Sequence, residues 1–74
     1  MDATMNIKER MEVVGSDGAH IGTVDHIDGQ NRIKLTRDDS RDGRHHFVPT
    51  NWVTRVDNSV HLRMPADEVF GQLQ

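Results

Sequence analysis

The sequence predicts an all-β fold: a small, strongly coiled β-barrel of about six short antiparallel strands with a short C-terminal helix. Three observations point there. Turn-forming clusters of Gly, Asp, Asn and Ser recur at close spacing along the chain. The runs between them are short and mostly alternate apolar with polar residues, the period of a half-buried strand. Residues 20–28 break that alternation in a way a flat strand cannot accommodate, which calls for a bent one.

In chain order, residues 1–9 carry little pattern and read as a flexible N-terminal arm with one apolar contact at Ile7. The domain proper is expected over 10–74. Met11–Val14 is the first strand, and Gly15-Ser16-Asp17-Gly18 is a turn of the kind that joins antiparallel strands, with Gly18 relieving it. His20–Asp28 follows. Ile21 and Ile27 share one parity while Val24 has the other, so a bulge near Gly22 is expected to bring the aliphatics onto one face. Asp25 then faces solvent. After the turn at 28–31, Arg32–Arg37 alternates, with Ile33 and Leu35 inward and the cations outward.

A polar loop over 38–43 leads to a fourth strand, Arg44–Val48, stopped by Pro49, which cannot donate to a ladder. Trp52, Val53 and Val56 mark the fifth run, Asp57-Asn58-Ser59 a hairpin turn, and Val60, Leu62 and Met64 the last strand. Pro65 suits the first position of a helix, Asp67 and Glu68 its positive end, and Val69, Phe70 and Leu73 share one helical face. The expected core is Val13, Ile21, Val24, Ile27, Ile33, Leu35, Phe47, Val48, Trp52, Val53, Val56, Val60, Leu62, Val69 and Phe70, with Trp52 as the plug of the barrel.

The bulk numbers bound the function. A 74-residue chain makes one domain and buries only about 60% of its unfolded surface. The absence of cysteine excludes disulfides and zinc–thiolate sites. No run approaches the roughly 18 apolar residues of a membrane span, and MDATMNIKER has no apolar core of a secretory signal, so a cytoplasmic location is expected. The net charge of −3 and a pI near 5.9 lack the usual footprint of a nucleic-acid binder.

The segments VVGSDGAHIGTVDHID and FVPTNWVTRVDNSVHL resemble PRC-barrel domains. The first matches that fold's opening strand, S-x-G turn and IG-x-V strand; the second is similar to its P-x-x-x-V segment and closing hairpin. Over roughly residues 8–74 the chain is similar to short stand-alone bacterial proteins of a PRC-barrel-like family with no assigned function. The fold also occurs in the photosynthetic reaction-centre H subunit and in a ribosome-maturation factor, where it is a protein-interaction module. The resemblance therefore implies binding and carries no catalytic motif.

The chemical candidates are each set against a plainer reading. Gly15, Gly18 and Gly22 precede a strand, whereas phosphate-cradling glycine loops precede a helix. Asp38, Ser40, Asp42 and Gly43 match positions 1, 3, 5 and 6 of a calcium loop, but position 12, where a bidentate Glu belongs, is Pro49. His45 and His46 are adjacent, so on a strand they point to opposite faces and do not converge on one ion. Asp38, Ser40, Asp42, His45 and His46 are thus the nearest approach to a metal set, and the expectation is no metal and no cofactor. Asp25 and His26 are separated by the same alternation, no G-x-S-x-G elbow exists, and no enzymatic activity or small-molecule substrate is expected.

Arg32, Lys34, Arg37, Arg41 and Arg44 cluster around one hairpin, but Asp38, Asp39 and Asp42 interrupt them, and the aromatics are wanted by the core. Nucleic acid is therefore not the expected partner. The expected function is a non-catalytic module for protein–protein interaction, self-association as a homodimer included. An ion or ligand sensor built on 38–46 and the histidines, or a weak RNA-binding module, stands as the alternative. Gly18, Gly22, Phe47, Pro49 and Trp52 are expected to serve structure.

Overall fold

The computed structural model describes residues 7–29, 31–37 and 43–73. Its strands are β1 (Glu12–Val14), β2 (His20–Asp28), β3 (Arg32–Leu35), β4 (Phe47–Pro49), β5 (Val53–Val56) and β6 (Ser59–Leu62). A single 3-10 turn, Thr50–Trp52, joins β4 to β5, and the chain ends in helix α1 (Ala66–Gln72). All six strands form one sheet in the order β4-β3-β2-β1-β6-β5.

The pairing is antiparallel except between β1 and β6, which run parallel with Val13 opposite Val60. The all-antiparallel expectation is corrected here. Hairpin turns are local signals, whereas the return of β6 beside β1 is set by a long connection that leaves no mark on either strand. The sheet is also not a closed barrel. Its two outermost strands are nevertheless consecutive in the chain. Six strands laid flat would hold β4 and β5 about 24 Å apart, while a three-residue 3-10 turn advances only about 6 Å. The ends of the sheet must curl toward each other, yet among the described residues no ladder joins β4 to β5.

Coiling originates in β2. Val13 faces Gly22 and Val14 faces His20, leaving Ile21 as an extra residue. Val24 faces Leu35 and His26 faces Lys34, leaving Asp25 as a second extra residue. Two bulges, not one, reconcile the aliphatics: the first switches parity between Ile21 and Val24, and the second switches it back for Ile27. Ile21 and Val24 are buried and Ile27 partly so.

The fully buried side chains are all aliphatic: Val13, Val24, Ile33, Val48, Val60, Leu62 and Val69. Ile7, Val14 and Ala66 join them, although alternation alone does not select these three. Ile7 packs in the core cluster, while residues 1–6 of the expected arm lie outside the described part. Met11, Met64 and Leu73 are half-buried against the same core, as are Trp52, Val53, Val56 and Phe70 from the expected set.

Two aromatic assignments are corrected. Phe47 stands 38% exposed, on the outer face of β4. Trp52 lies half-buried in the 3-10 turn at the rim, so the inside of the sheet holds no aromatic plug. The fully buried side chains are those of Val, Ile and Leu, and the indole packs against them from the margin. β4 also starts later than expected. Leu35 N–H still donates to His46 O, but the Leu35 carbonyl takes the His45 ring (Nδ1) at 3.0 Å, so a side chain replaces further pairing. Pro49 is the last residue of β4; the ladder bonds fall on His46 and Thr50, so its missing N–H faces the open edge and no bond is lost.

Helix α1 is only 7 residues long and could not stand alone. Ala66 and Val69 bury it, and the β1–β2 turn docks on its start. Ser16 N–H donates to Met64 O at 2.8 Å, and Asp17 Oδ1 accepts from Ala66 N–H at 3.3 Å and from Ala19 N–H at 3.2 Å. Pro65 precedes the helix as its N-cap, one position before the first-turn role expected for it.

Candidate functional site

The β4 edge collects the features that distinguish this surface. Bonds to β3 alternate along β4 through His46 and Thr50, so the N–H and C=O of Phe47 and the C=O of Pro49 point away from the sheet. Phe47 is the one large hydrophobic residue that is exposed among the described residues. Beside it, an open cleft of about 390 Å³ is lined by His45, His46, Pro49 and Trp52 and, from the end of α1, Gln72 and Leu73.

The outer face next to the edge carries basic side chains, two of them with a carboxylate beside them. The Arg32 guanidinium lies 4.6 Å from the centre of the Phe47 ring and also pairs with the Asp28 carboxylate. Lys34 faces Phe47 in register, and His26 faces Lys34 from β2. Strand alternation places all of these on one side because Ile33 and Val48 occupy the other.

Several sequence-level separations do not hold. His45 and His46 line the same cleft, since both precede the strand that was expected to splay them. Asp25 and His26 approach to 3.8 Å, because Asp25 sits at a bulge and strand alternation fails there. Asp38, Ser40 and Asp42 lie outside the described residues. Among the described residues no three of His, Asp or Glu gather as metal ligands. Gly18 sits in the β1–β2 turn at φ +81 with open space around it, while Gly22 is packed against the Leu35 side chain beside the first bulge.

Two further His–carboxylate contacts lie on the other strands. His20 Nδ1 is 2.8 Å from Glu12 Oε2, and His61 Nε2 is 2.9 Å from Asp57 Oδ1. Asp57 Oδ1 also accepts from Ser59 N–H at 2.9 Å, and Arg55 Nη2 lies 3.8 Å from its second oxygen. The Ser59 amide, then the His61 ring and Arg55, hold the Asp57 carboxyl below its ordinary value against a small opposing effect of desolvation.

These features define a small β-rich domain with one mixed, open sheet and a short C-terminal helix. A family profile matches residues 7–70, and the chain belongs to that family, DUF2171, described as uncharacterized proteins conserved in bacteria. No curated protein shows significant similarity to it. Among the described residues no helix is long and apolar enough to cross a membrane.

Proposed function

We propose that the chain is a non-catalytic, PRC-barrel-like interaction module that works in the cytoplasm and pairs with a second copy of itself through β4. The observation that carries this reading is the exposed Phe47 on an edge strand whose outward backbone groups have no ladder partner among the described residues. Such an edge is self-complementary. A two-fold axis at Phe47 pairs the two Phe47 backbones reciprocally and sets the two rings side by side. Pro49, without an N–H, ends the pairing after a few residues, and the two-fold use of the same edge by both copies closes the assembly at a dimer. The coiled six-strand sheet and terminal helix support the PRC-barrel part of the reading.

Sedimentation velocity over a concentration series tests it. Wild type is expected to dimerise, and Phe47→Glu to remain monomeric with an unchanged far-UV spectrum. A wild type that stays monomeric at millimolar concentration removes self-pairing.

The same ring favours a second reading, because an exposed aromatic flanked by Arg32, Lys34 and His26 is a stacking platform for single-stranded nucleic acid. That reading requires salt-sensitive binding of a short RNA that is weakened in Lys34→Gln, a variant that leaves the edge backbone intact.

A further inference from the structure

A second cleft lies at the other end of the strand order, on the outer face of β5 and β6. It measures about 300 Å³ and is lined by Ser16, Thr54, Arg55, His61, Leu62 and Arg63. Its chemistry differs from the β4 surface. Val60 and Leu62 point inward, so His61 and Arg63 share the outer face, and Arg55 faces His61 across the hairpin. Ser16 is fixed at the rim by its backbone bond to Met64 O. Thr54 is the extra residue of the β5 register shift, and its hydroxyl donates to His61 O at 3.2 Å.

Charge accounting makes the cleft unusual in an acidic chain. Among the described residues that line it, two are arginines, one is a histidine, two carry hydroxyls and none carries a carboxylate. Asp57 is the nearby anion, but its Oδ1 is taken up by Ser59 N–H and His61. Arg55 reaches its other oxygen only at 3.8 Å, with 69% of the Arg55 side chain exposed. Arg63 makes no ion pair among the described residues.

We infer that the Arg55–Arg63 cleft binds a phosphoryl group, as inorganic phosphate or as the monoester of a small metabolite. Two guanidinium forks offer paired, charge-assisted donors to a multiply charged oxyanion, and the Ser16 hydroxyl adds a neutral donor at the rim. The volume lies at the small end of ligand sites and suits a phosphoryl group with a short organic body. This site shares no residue with the β4 edge, so it stands or falls independently of the dimer.

The test is a proton–nitrogen NMR titration of the full chain at constant ionic strength with inorganic phosphate, glycerol phosphate and acetate. Saturable shifts confined to the amides of Ser16, Thr54, Arg55, His61 and Arg63 are expected for both phosphates. Tighter binding of glycerol phosphate assigns a metabolite, and equal binding assigns free phosphate. Arg55→Gln and Arg63→Gln should each weaken binding about tenfold or more while the remaining spectrum stays in place. Lys34→Gln, on the other cationic surface, should leave it unchanged. Non-saturating shifts, shifts spread equally over the Lys34 surface, acetate binding as tightly as phosphate, or full affinity in Arg63→Gln overturn the inference.

Discussion

Asp17 is exposed, polar and placed in a turn, a combination usually tolerant of substitution. Its Oδ1 nevertheless accepts from Ala19 N–H at 3.2 Å and Ala66 N–H at 3.3 Å, the second across 49 residues of sequence. Ala66 opens α1 and is only 3% exposed, so its amide has little water to turn to if the carboxylate is removed. An unsatisfied buried amide costs about 1–3 kcal/mol, and loss of a capping oxygen about 1 kcal/mol. Both bonds are long, so Asp17→Ala is expected to cost about 2 kcal/mol. In a domain of this size that lowers Tm by roughly 10 °C. Asp17→Asn keeps the oxygen and loses only the charge near the positive end of the helix, about 0.5 kcal/mol. Urea unfolding followed by the fluorescence of Trp52, the one tryptophan of the chain, measures both. The reasoning fails if Asp17→Ala stays within 0.5 kcal/mol of wild type, a shift too small for a lost buried bond. It fails equally if Asp17→Asn is as damaging as Asp17→Ala.

Two further tests bear on the same end of the molecule and on the β5–β6 hairpin. A Cβ at Gly15 would lie 2.5 Å from Ala66 N and 3.0 Å from Met64 O, both backbone atoms that cannot swing away. Gly15→Ala is therefore expected to cost more than about 2 kcal/mol through overpacking. Gly18→Ala, with open space but φ +81, should cost only about 1 kcal/mol; equal losses in urea unfolding would contradict this ordering. At Asp57 the folded-state carboxyl titrates below its ordinary 3.8, so its contribution is present above that value and is lost as pH falls through the lower folded one. Thermal unfolding from pH 6 to pH 2 should show Asp57→Asn less stable than wild type at pH 6, with the gap closing in acid. A gap independent of pH would remove the carboxylate from the account.

Local regularities carried much of the fold. The limits of β2 follow from its flanking turns, and its broken parity announced a bent strand, because three aliphatics spaced three apart cannot share a flat face. What the pattern underdetermined was how many bulges were needed. Val13 and Val14 are both apolar and adjacent, a signal of burial on both faces that strict alternation discards. The parallel pairing of β1 with β6 and the docking of Gly15 and Asp17 on α1 join segments far apart in sequence. Neither segment changes its local pattern to make those contacts, so periodicity could not disclose them. The surface residues followed the same logic in reverse. Phe47 has the composition of a core residue, and only the register of β4 against β3 turns it outward.

That reversal bears directly on function. A small core claims the aromatics on composition, yet the fully buried side chains are all aliphatic, with Trp52 and Phe70 only partly buried against them. Burying a Val or Leu side chain contributes about 1.5–3 kcal/mol, and the seven fully buried aliphatic residues supply the hydrophobic drive without an aromatic at the centre. Phe47 and Trp52 are thereby released to the rim, where they border the same cleft. The strand order also leaves β4 and β5 as open edges joined by a single turn, so the two candidate binding surfaces lie on either flank of that turn. Because the two surfaces share no residue, saturating phosphate should leave the dimerisation constant of wild type, read by sedimentation velocity, unchanged, and a shifted constant would contradict that separation.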